Sequence, residues 1–519
     1  MKKHNFIENF SSKFITWFMI VVMLFLTVVS LLFRSYIDVT YQEIIYYRKD
    51  NVLLAVLFLA ATIAIVWWGK KKGILDKIPE KPLVILLMVY VAAISGIWAY
   101  ASHSFPTADQ ASILKCVDGL IHGNYECMEP MSPHGYLQYN RHQVGLTAFY
   151  EVFTRIFTSG QVNYQAVYVL NVLMIMGIFW GLYLVTRQLT NRKEIITLEL
   201  LLSFGMFQLM LYSTFVYGLI PGLFFDVFGI YFMLKLMKSK RWYDGCLMAL
   251  MCALAIIMKS NYLVFLIAVG ITLVIKSISE RYPVYLLYLL LAVAGFLGIN
   301  AAAQKTYENR TGIEFGDTIP NTAYLAMGMQ EGAMAPGWFN GFNHVTYRMN
   351  DYNEEVTDQI SREYIKERLQ EFAGDPLECL KFYYYKIISQ WNEVTYECFW
   401  ISTNEGNHTR ELLPVVESFY TGRLHTAAEA TMNLYQLLMF AGTLLCAWSL
   451  RKDGDISKVI LLLCVLGGFL FHILWEGKSQ YLISYFPLML PCAAVGMIYV
   501  TGYFKKKEGD VLSDESYAE

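Results

Sequence analysis

Long apolar stretches separated by short polar turns dominate the chain. About twelve of these stretches are long enough to cross a bilayer as helices, because roughly 20 apolar residues span its hydrocarbon core. They lie near residues 13–33, 52–69, 82–101, 165–185, 195–213, 217–236, 243–258, 260–277, 283–302, 429–449, 459–475 and 479–503. The pattern predicts an all-α polytopic membrane protein with about 12 transmembrane helices.

Two longer segments interrupt this pattern, at residues 102–164 and 303–428. Both mix polar and aromatic residues, as folded structure does. In the first, the stretch HQVGLTAFYEVFTRIF has the spacing of a helix that lies in the membrane interface. In the second, NEEVTDQISREYIKERLQEF places apolar residues on one helical face, namely Val356, Ile360, Tyr364, Ile365 and Leu369. This second segment is predicted to form a small, mainly helical domain.

These boundaries divide the chain into parts with different expected environments. They are an N-terminal helical hairpin (1–81), a transmembrane core (82–302) that includes the first outer loop (102–164), an extracytoplasmic domain (303–428), C-terminal transmembrane helices (429–504) and a cytoplasmic tail (505–519). No internal repeat is evident, although many transporters show one.

Lys and Arg collect in short clusters between the apolar stretches, and such clusters mark the cytoplasmic side of a membrane protein. With the N-terminus inside, the clusters GKKKGILDK, TRQLTNRKE, KLMKSKR, KSISER, RKDGDISK and YFKKKEGD all fall on one side. Both termini are then cytoplasmic, and both long segments face outward. The outer turn of the N-terminal hairpin, with Arg34, Arg48 and Lys49, fits this orientation less well.

Composition narrows the class further. With 56% hydrophobic and 16% charged residues, the chain is too apolar for a soluble enzyme with a single core. A net charge of -2 argues against a nucleic-acid partner, because that function needs a concentrated basic excess. Walker, H-E-x-x-H and G-x-S-x-G motifs do not occur in a fitting context, which argues against nucleotide-driven, zinc-protease and serine-hydrolase chemistry.

Several charged residues are predicted at the outward ends of the helices. Lys259 and Lys478 run against the positive-inside trend, while Arg141 and His142 come late in the first outer loop and Glu476 precedes Lys478. An anionic ligand such as a lipid-linked phosphate would account for basic residues at this level. Alternatively, the side chains reach the headgroups or pair with local acids.

Asp109 begins the stretch TADQAS, just behind an apolar helix. In one interpretation it is a helix N-cap that satisfies free backbone amides. In the other it is a general base above the membrane face, which draws a proton from an acceptor hydroxyl. The two roles are compatible.

The stretch PNTAYLAMGMQEGAMAPGWFNGFN is rich in Gly, Asn and aromatic residues. Trp338 and Asn340 are its candidates for stacking on a sugar ring and bonding its hydroxyls. Ordinary turn chemistry is the alternative, since Gly, Pro and Asn dominate turns regardless of function.

Four stretches together resemble a known family. They are PTADQASILKCVDGLIHGNY, HGYLQYNRHQVGLTAFYEVF, GTLLCAWSL and WEGKSQYLISYFPLMLP. In combination they resemble the multi-spanning GT-C glycosyltransferases, and among these the bacterial members grouped with protein mannosyltransferases and lipid A aminoarabinose transferases (glycosyltransferase family 39-like). The resemblance extends over most of residues 80–500.

The resemblance implies roles for the candidate residues. Asp109 corresponds to the acid that acts as base or positions the acceptor. Arg141, Lys259 and Lys478 correspond to the groups that hold the phosphate of the donor. Substrate-binding roles fall to the remaining candidates, which are His142, Glu476, Tyr481, Trp338 and Asn340.

Three departures from the family pattern accompany these assignments. Gln480 stands where relatives often carry Arg. Gln110 replaces the second acid of the usual pair, which favours chemistry without a metal or other cofactor. An additional hairpin precedes the outer loop and makes Asp38 a rival candidate for the base.

The implied function is inverting sugar transfer in a bacterial cell membrane, on its outer face. The donor would be a polyprenyl-phosphate-linked sugar, and the acceptor a cell-wall or surface glycan, lipid or protein. Two alternatives stay open: a polysaccharide polymerase or ligase that uses lipid-pyrophosphate donors, and a transporter or flippase of lipid-linked sugars. A transporter would use Asp226, an acid predicted near the middle of a helix, for proton or ion coupling, but a structural hydrogen bond or a protonated acid is the preferred interpretation.

Overall fold

The computed structural model describes residues 6–38, 43–403 and 408–503, and most of them are helical. The helices are α1 (Phe6–Leu32), α2 (Val52–Lys71), α3 (Ile74–Lys77), α4 (Glu80–Ala101), α5 (Ala108–His122), α6 (Tyr136–Tyr139), α7 (Val144–Phe157), α8 (Tyr164–Leu189), α9 (Lys193–Ser203), α10 (Phe207–Leu211), α11 (Leu219–Ser239), α12 (Trp242–Met258), α13 (Leu263–Glu280), α14 (Val284–Thr311), α15 (Asn321–Met327), α16 (Phe342–Met349), α17 (Glu354–Gly374), α18 (Pro376–Trp391), α19 (Trp400–Thr403), α20 (Pro414–Thr421), α21 (Arg423–Leu450), α22 (Ile460–Leu474) and α23 (Met489–Tyr503). The predicted tail 505–519 lies outside the described residues.

Every predicted apolar window coincides with helical structure. Within the described ranges, 10 helical segments are long and apolar enough to cross a membrane. Two further windows differ in detail, because α9 and the following Phe207–Thr214 form a pair bent by 48°, and α12 is shorter than the others. The prediction of a polytopic, helical membrane protein is confirmed.

The predicted all-α fold did not include a β-hairpin that follows α1. Strands β1 (Phe33–Ile37) and β2 (Ile45–Lys49) pair antiparallel, with Arg34 opposite Arg48. Aromatic and β-branched residues, which favour strands, fill both. The Ser35 amide donates to the Asn392 carbonyl at 3.1 Å, so the hairpin is fixed to the large segment before α21.

The charged loops divide between two ends of the helix bundle. At the first end, which we call the basic end, lysines and arginines of the predicted clusters meet acids of other loops: Lys240 with Glu280 (3.3 Å), Arg187 with Glu80 (3.5 Å), and Lys276 with Glu8 (2.6 Å). The last predicted cluster, YFKKKEGD, falls almost entirely outside the described residues.

At the opposite end, which we call the segment end, the two long segments meet the β-hairpin and the turns before α11, α13 and α23. Lys478 contacts Glu43 here, and the Thr409 amide donates to the His103 carbonyl at 2.8 Å. The two groups of loops therefore lie at different ends, as the clustering of Lys and Arg predicts.

The helices predicted in the long segments are present, but one of them buries a different face. Helix α17 leaves Val356, Ile360 and Leu369 exposed and buries Thr357, Ser361 and Phe372. Only part of the expected apolar face is packed: Ile365 lies against the cluster of Met329, Phe372 and Phe382, and Tyr364 contacts the Phe342 ring. Helix α7 exposes an apolar stripe, as expected of an interfacial helix, with Val152, Ile156 and Phe157 at the surface.

Candidate functional site

Five side chains from distant parts of the sequence meet at the segment end, and we call them the Lys259 cluster. They are Asp109, Tyr217, Lys259, Glu476 and Tyr481. Three turns and the start of one helix supply them. These elements approach closely because Gly218 carries no side chain: a Cβ there would collide with the carbonyl oxygen of Met258, next to Lys259.

Asp109 lies in the first turn of α5 and is exposed. The N-cap position belongs to Thr107, so the interpretation of Asp109 as the N-cap is wrong by two residues. Its carboxylate oxygen Oδ2 accepts a long hydrogen bond, 3.5 Å, from the Tyr217 hydroxyl. The next residue, Gln110, is buried and accepts from the Val216 amide at 2.8 Å. Gln110 therefore joins the start of α5 to the turn that carries Tyr217.

Lys259 follows α12 and extends between two aromatic rings. Its ammonium lies 4.4 Å from the centroid of the Tyr217 ring and 4.8 Å from that of Tyr481. No hydrogen bond or ion pair reaches it from any residue in the described ranges. Burial lowers the pKa of Lys259 to about 8, although the nearby Glu476 and Asp109 oppose this effect. The charge is therefore held by ring faces and is available to an anion.

Glu476 occupies the turn between α22 and the last span. Its Oε1 accepts from the Tyr481 hydroxyl at 2.8 Å, and no donor in the described part of the chain bonds its buried Oε2. Burial raises the pKa of Glu476, against the effects of Tyr481, Lys478 and Lys259. The carboxylate thus faces the same space as Lys259.

Lys478 has a different environment from Lys259. Its ammonium contacts both carboxylate oxygens of Glu43, at 2.5 Å and 2.7 Å. Burial disfavours its charge, but Glu43 and Glu397 outweigh burial and raise the pKa of Lys478. Of the predicted phosphate ligands, Lys478 is thus already neutralised by an acid within the chain.

Arg141 and His142 diverge although they are adjacent. The Arg141 guanidinium donates to the carbonyl of Gly316 and lies 5.6 Å from the Phe315 ring, so it anchors the start of the second long segment. His142 remains exposed, yet burial lowers its pKa to about 4, with Lys259 and His344 acting in the same direction. Its ring meets the Tyr324 ring edge-on, 6.3 Å between centroids.

Trp338 and Asn340 lie in a loop that pairs with the turn of Glu476, where the Phe339 amide donates to the Gly477 carbonyl at 3.3 Å. Trp338 is fully buried, and its Nε1 donates to the Ser389 hydroxyl at 2.8 Å, so neither ring face is open to a sugar. Asn340 is exposed and donates to Gln330 at 2.7 Å, which holds the loop before α16. We do not include Trp338 in the proposed site.

Sequence reasoning missed four residues around the cluster. Gln143 donates through Nε2 to the Tyr217 oxygen at 2.6 Å, and Tyr136 lies within reach of Asp109. Tyr324 stacks on Trp475, 5.7 Å between ring centroids. Lys386, fully buried, donates to the carbonyls of Gly328 and Trp475. Burial lowers its pKa to about 7 beside Glu476.

The signals for these residues are weak in a single sequence. An aromatic residue in a polar turn is common, and Gln143 and Tyr217 are 74 positions apart. Tyr217, in the cluster itself, was also not predicted as a site residue. Only its position in a turn between apolar stretches could have drawn attention to it. Asp38, the rival candidate for the base, follows Ile37, which packs beside Trp338. The charged groups that act on the pKa of Lys259 are Asp109, Glu476 and Lys478.

Among residues 6–38, 43–403 and 408–503, no group of at least three His, Cys, Asp or Glu side chains has the geometry to hold a metal ion.

A polytopic helical fold with a carboxylate and a lysine side by side at one membrane surface is the arrangement that the resemblance to GT-C glycosyltransferases predicts. Residues 142–298 match the model of a particular family, described as dolichyl-phosphate-mannose-protein mannosyltransferase. The matched region contains His142, Gln143, Tyr217 and Lys259. The match supports the resemblance to the GT-C glycosyltransferases over these residues, and the apolar helices show a multi-pass membrane protein. No curated protein matches the chain.

Proposed function

We propose that this protein transfers a sugar from a polyprenyl-phosphate-linked donor to a hydroxyl of a cell-wall or surface glycan, lipid or protein. Lys259 is the observation that carries the proposal. An ammonium that is surrounded by protein, packed between two rings and next to a carboxylate attracts an anionic ligand, since no acid of the described chain pairs with it.

In the proposed reaction Asp109 is the general base. Its carboxylate takes the proton of the acceptor hydroxyl as that oxygen attacks the anomeric carbon. The bond between the anomeric carbon and the phosphate oxygen breaks, and attack from the opposite face inverts the configuration. The proton on Asp109 then passes to water, which reaches this exposed side chain.

Lys259 stabilises the departing group. The phosphate gains negative charge as the bond to the sugar breaks, and a fixed ammonium in a site of low polarity stabilises that charge more than water does. Because phosphate is already a good leaving group, this scheme needs one base and no second carboxylate acid. Glu476 and Tyr481, beside Lys259, are proposed to contact the donor sugar, and the exposed His142 to contact the substrate.

The proposed orientation places the segment end outside a bacterial cell. The basic end carries the Lys and Arg clusters that favour the cytoplasmic side, so the Lys259 cluster would face outward. Donor and acceptor would meet there at the membrane surface. The proposed partners are thus the bilayer, the lipid-linked donor and the acceptor, with no nucleic acid.

Transfer from a panel of radiolabelled polyprenyl-phosphate sugars tests the function. The wild-type protein and Asp109→Asn would be compared in detergent or liposomes, with and without a chelator. We expect turnover by the wild type with one donor, collapse of turnover in Asp109→Asn, and donor binding by both. Turnover that survives chelation would support chemistry without a metal ion, and loss on chelation would contradict it.

Other outcomes favour the alternatives. Activity only with lipid-pyrophosphate oligosaccharides would indicate a polymerase or ligase. Movement of a labelled lipid between leaflets without any transfer product would indicate a flippase. Full activity of Asp109→Asn would remove this residue from the proposed base position and leave Glu476 and Asp38 to be tested.

A further inference from the structure

We infer that Tyr217 is a positioning residue that holds the Asp109 carboxylate and the Lys259 ammonium in register, and that Gln143 fixes the direction in which its hydroxyl donates. The inference rests on the proposed function, because it assigns a task to Tyr217 within that reaction. It concerns a side chain for which neither the motifs nor the family description gives a role.

Tyr217 touches both charged groups of the cluster with different parts of one side chain. Its hydroxyl reaches Asp109 Oδ2 at 3.5 Å, and its ring lies 4.4 Å from the Lys259 ammonium. An acid and a cation on separate elements, α5 and the turn after α12, are thus related through one rigid ring. Movement of the ring would disturb both contacts at once.

Gln143 determines where the hydroxyl proton goes. Its amide nitrogen donates to the Tyr217 oxygen at 2.6 Å, so that oxygen is an acceptor on one side. The hydroxyl hydrogen is then directed away from Gln143 and toward Asp109. Burial raises the pKa of Tyr217 well above its ordinary value, with Asp109 adding to the effect, so the hydroxyl stays protonated and able to donate.

A donated hydrogen bond favours the charged form of a carboxylate. The base must be charged to accept a proton, so loss of this donated bond is expected to show in the acidic limb of the pH profile. The bond is long without substrate, and catalytic contacts commonly shorten when substrate binds. The ionisable groups that face Asp109 are Tyr136, Tyr217, Lys259, Tyr324, His344 and Glu476.

Tyr481 provides a matched control. Its ring lies against the same ammonium, at 4.8 Å, but its hydroxyl donates to Glu476 and not to Asp109. The variants Tyr217→Phe and Tyr481→Phe therefore each keep a ring beside Lys259 and each lose one hydroxyl. They differ in which carboxylate loses its donor.

The first measurement is the pH dependence of kcat and of donor KM for the wild type and both variants. We expect Tyr217→Phe to lower kcat about tenfold, to leave donor KM within about threefold, and to move the acidic limb of kcat up by about one pH unit. Tyr481→Phe should leave that limb in place. Gln143→Leu should resemble Tyr217→Phe, and the double variant should be no worse than Tyr217→Phe alone.

The second measurement does not require turnover. Water-soluble carbodiimide couples an amine to protonated carboxyl groups, and mass spectrometry of the peptide that contains Asp109 gives the pH of half-maximal labelling. We expect that pH to rise by about one unit in Tyr217→Phe and to stay unchanged in Tyr481→Phe. Equal labelling curves for wild type and Tyr217→Phe overturn the inference, as does an equal shift in Tyr481→Phe.

The two measurements separate the inference from the proposed function. A shifted labelling curve in a protein without transferase activity would retain the role of Tyr217 toward Asp109 and reject the proposed reaction. Transferase activity with an unshifted curve and an unshifted acidic limb would retain the reaction and reject the role of Tyr217.

Discussion

Lys259 and Lys276 stand at opposite ends of the same membrane-spanning segment, Ser260–Glu280, in different surroundings. At the basic end, the Lys276 ammonium contacts Glu8 at 2.6 Å and Asp455 at 2.8 Å. At the segment end, the Lys259 ammonium contacts two ring faces and no carboxylate of the described residues. Both lysines are largely surrounded by protein, so the difference lies in their partners.

The partners indicate what each charge is for. Glu8 and Asp455 come from the start of α1 and the turn before α22, so Lys276 joins three distant elements into one packed end. Lys259 forms no ion pair with any of the described residues, so it does not connect distant elements in this way. A buried cation without an acid is costly to fold and is kept where a ligand supplies the missing charge. The comparison therefore separates a lysine that joins structural elements from the lysine that we propose to bind an anion.

The largest expected effect concerns the acid beside Lys259. Asp109→Asn should lower kcat by about 100- to 10,000-fold, the usual contribution of a general base, and leave the melting temperature nearly unchanged. The residue is exposed and holds one long hydrogen bond, so little stability depends on it. Initial rates and thermal unfolding of the purified protein measure both. Asp118→Asn, an exposed acid on the same helix, is the control and should retain activity.

Lys276→Met should act in the opposite way. It leaves Glu8, which is buried, without its main counter-charge, and breaking one partner of such a group costs about 3–5 kcal/mol. We expect a clearly lower melting temperature, with kcat and donor KM per folded molecule close to the wild type. A variant that unfolds normally but loses donor binding would contradict the assignment of Lys276 to structure.

Lys259→Met should lower kcat/KM for the donor about 100-fold, because a charged contact to the donor phosphate is lost. The free energy of unfolding of this variant should stay the same or rise, because the substitution removes an unpaired charge. Donor binding by isothermal titration and unfolding in the same detergent check the two expectations. Loss of stability comparable to that of Lys276→Met would remove the distinction between the two lysines.

The sequence predicted much of the helical frame and less of the cluster. Apolar length alone located the spans, and the position of Lys259 on the unexpected side of the membrane singled it out. The β-hairpin was missed because five-residue strands beside a long helix leave little periodic signal. The partners of Lys259 and Lys478 were missed because they depend on tertiary contacts: Glu43 is 435 positions from Lys478.

The lowered pKa of Lys259 predicts that kcat/KM for the donor depends on pH. Burial lowers this pKa to about 8, so the ammonium is charged below that pH and loses its charge above it. We expect kcat/KM for the donor to fall about tenfold per pH unit above about pH 8. Lys259→Arg should remove this alkaline limb, because a guanidinium stays protonated. An alkaline limb that persists in Lys259→Arg would assign it to another group.

Lys478 resembles Lys259 in its position in the fold but resembles Lys276 in its ion pairing. It lies at the segment end, like Lys259, but contacts Glu43 through both carboxylate oxygens, as Lys276 contacts its acids. If pairing decides the role, Lys478→Met should change donor KM by less than about threefold and lower stability instead. The double variant Glu43→Gln, Lys478→Met should recover part of that stability, because it removes both charges.

The opposite result would revise the comparison. A loss of donor affinity in Lys478→Met as large as in Lys259→Met would mean that the donor displaces Glu43 and that position, more than pairing, decides which lysines bind phosphate. In that case Glu43→Gln alone should tighten donor binding, because the competing carboxylate is gone. Unchanged donor binding in Glu43→Gln, together with a small effect of Lys478→Met, would leave Lys259 as the principal lysine for the donor phosphate at the segment end.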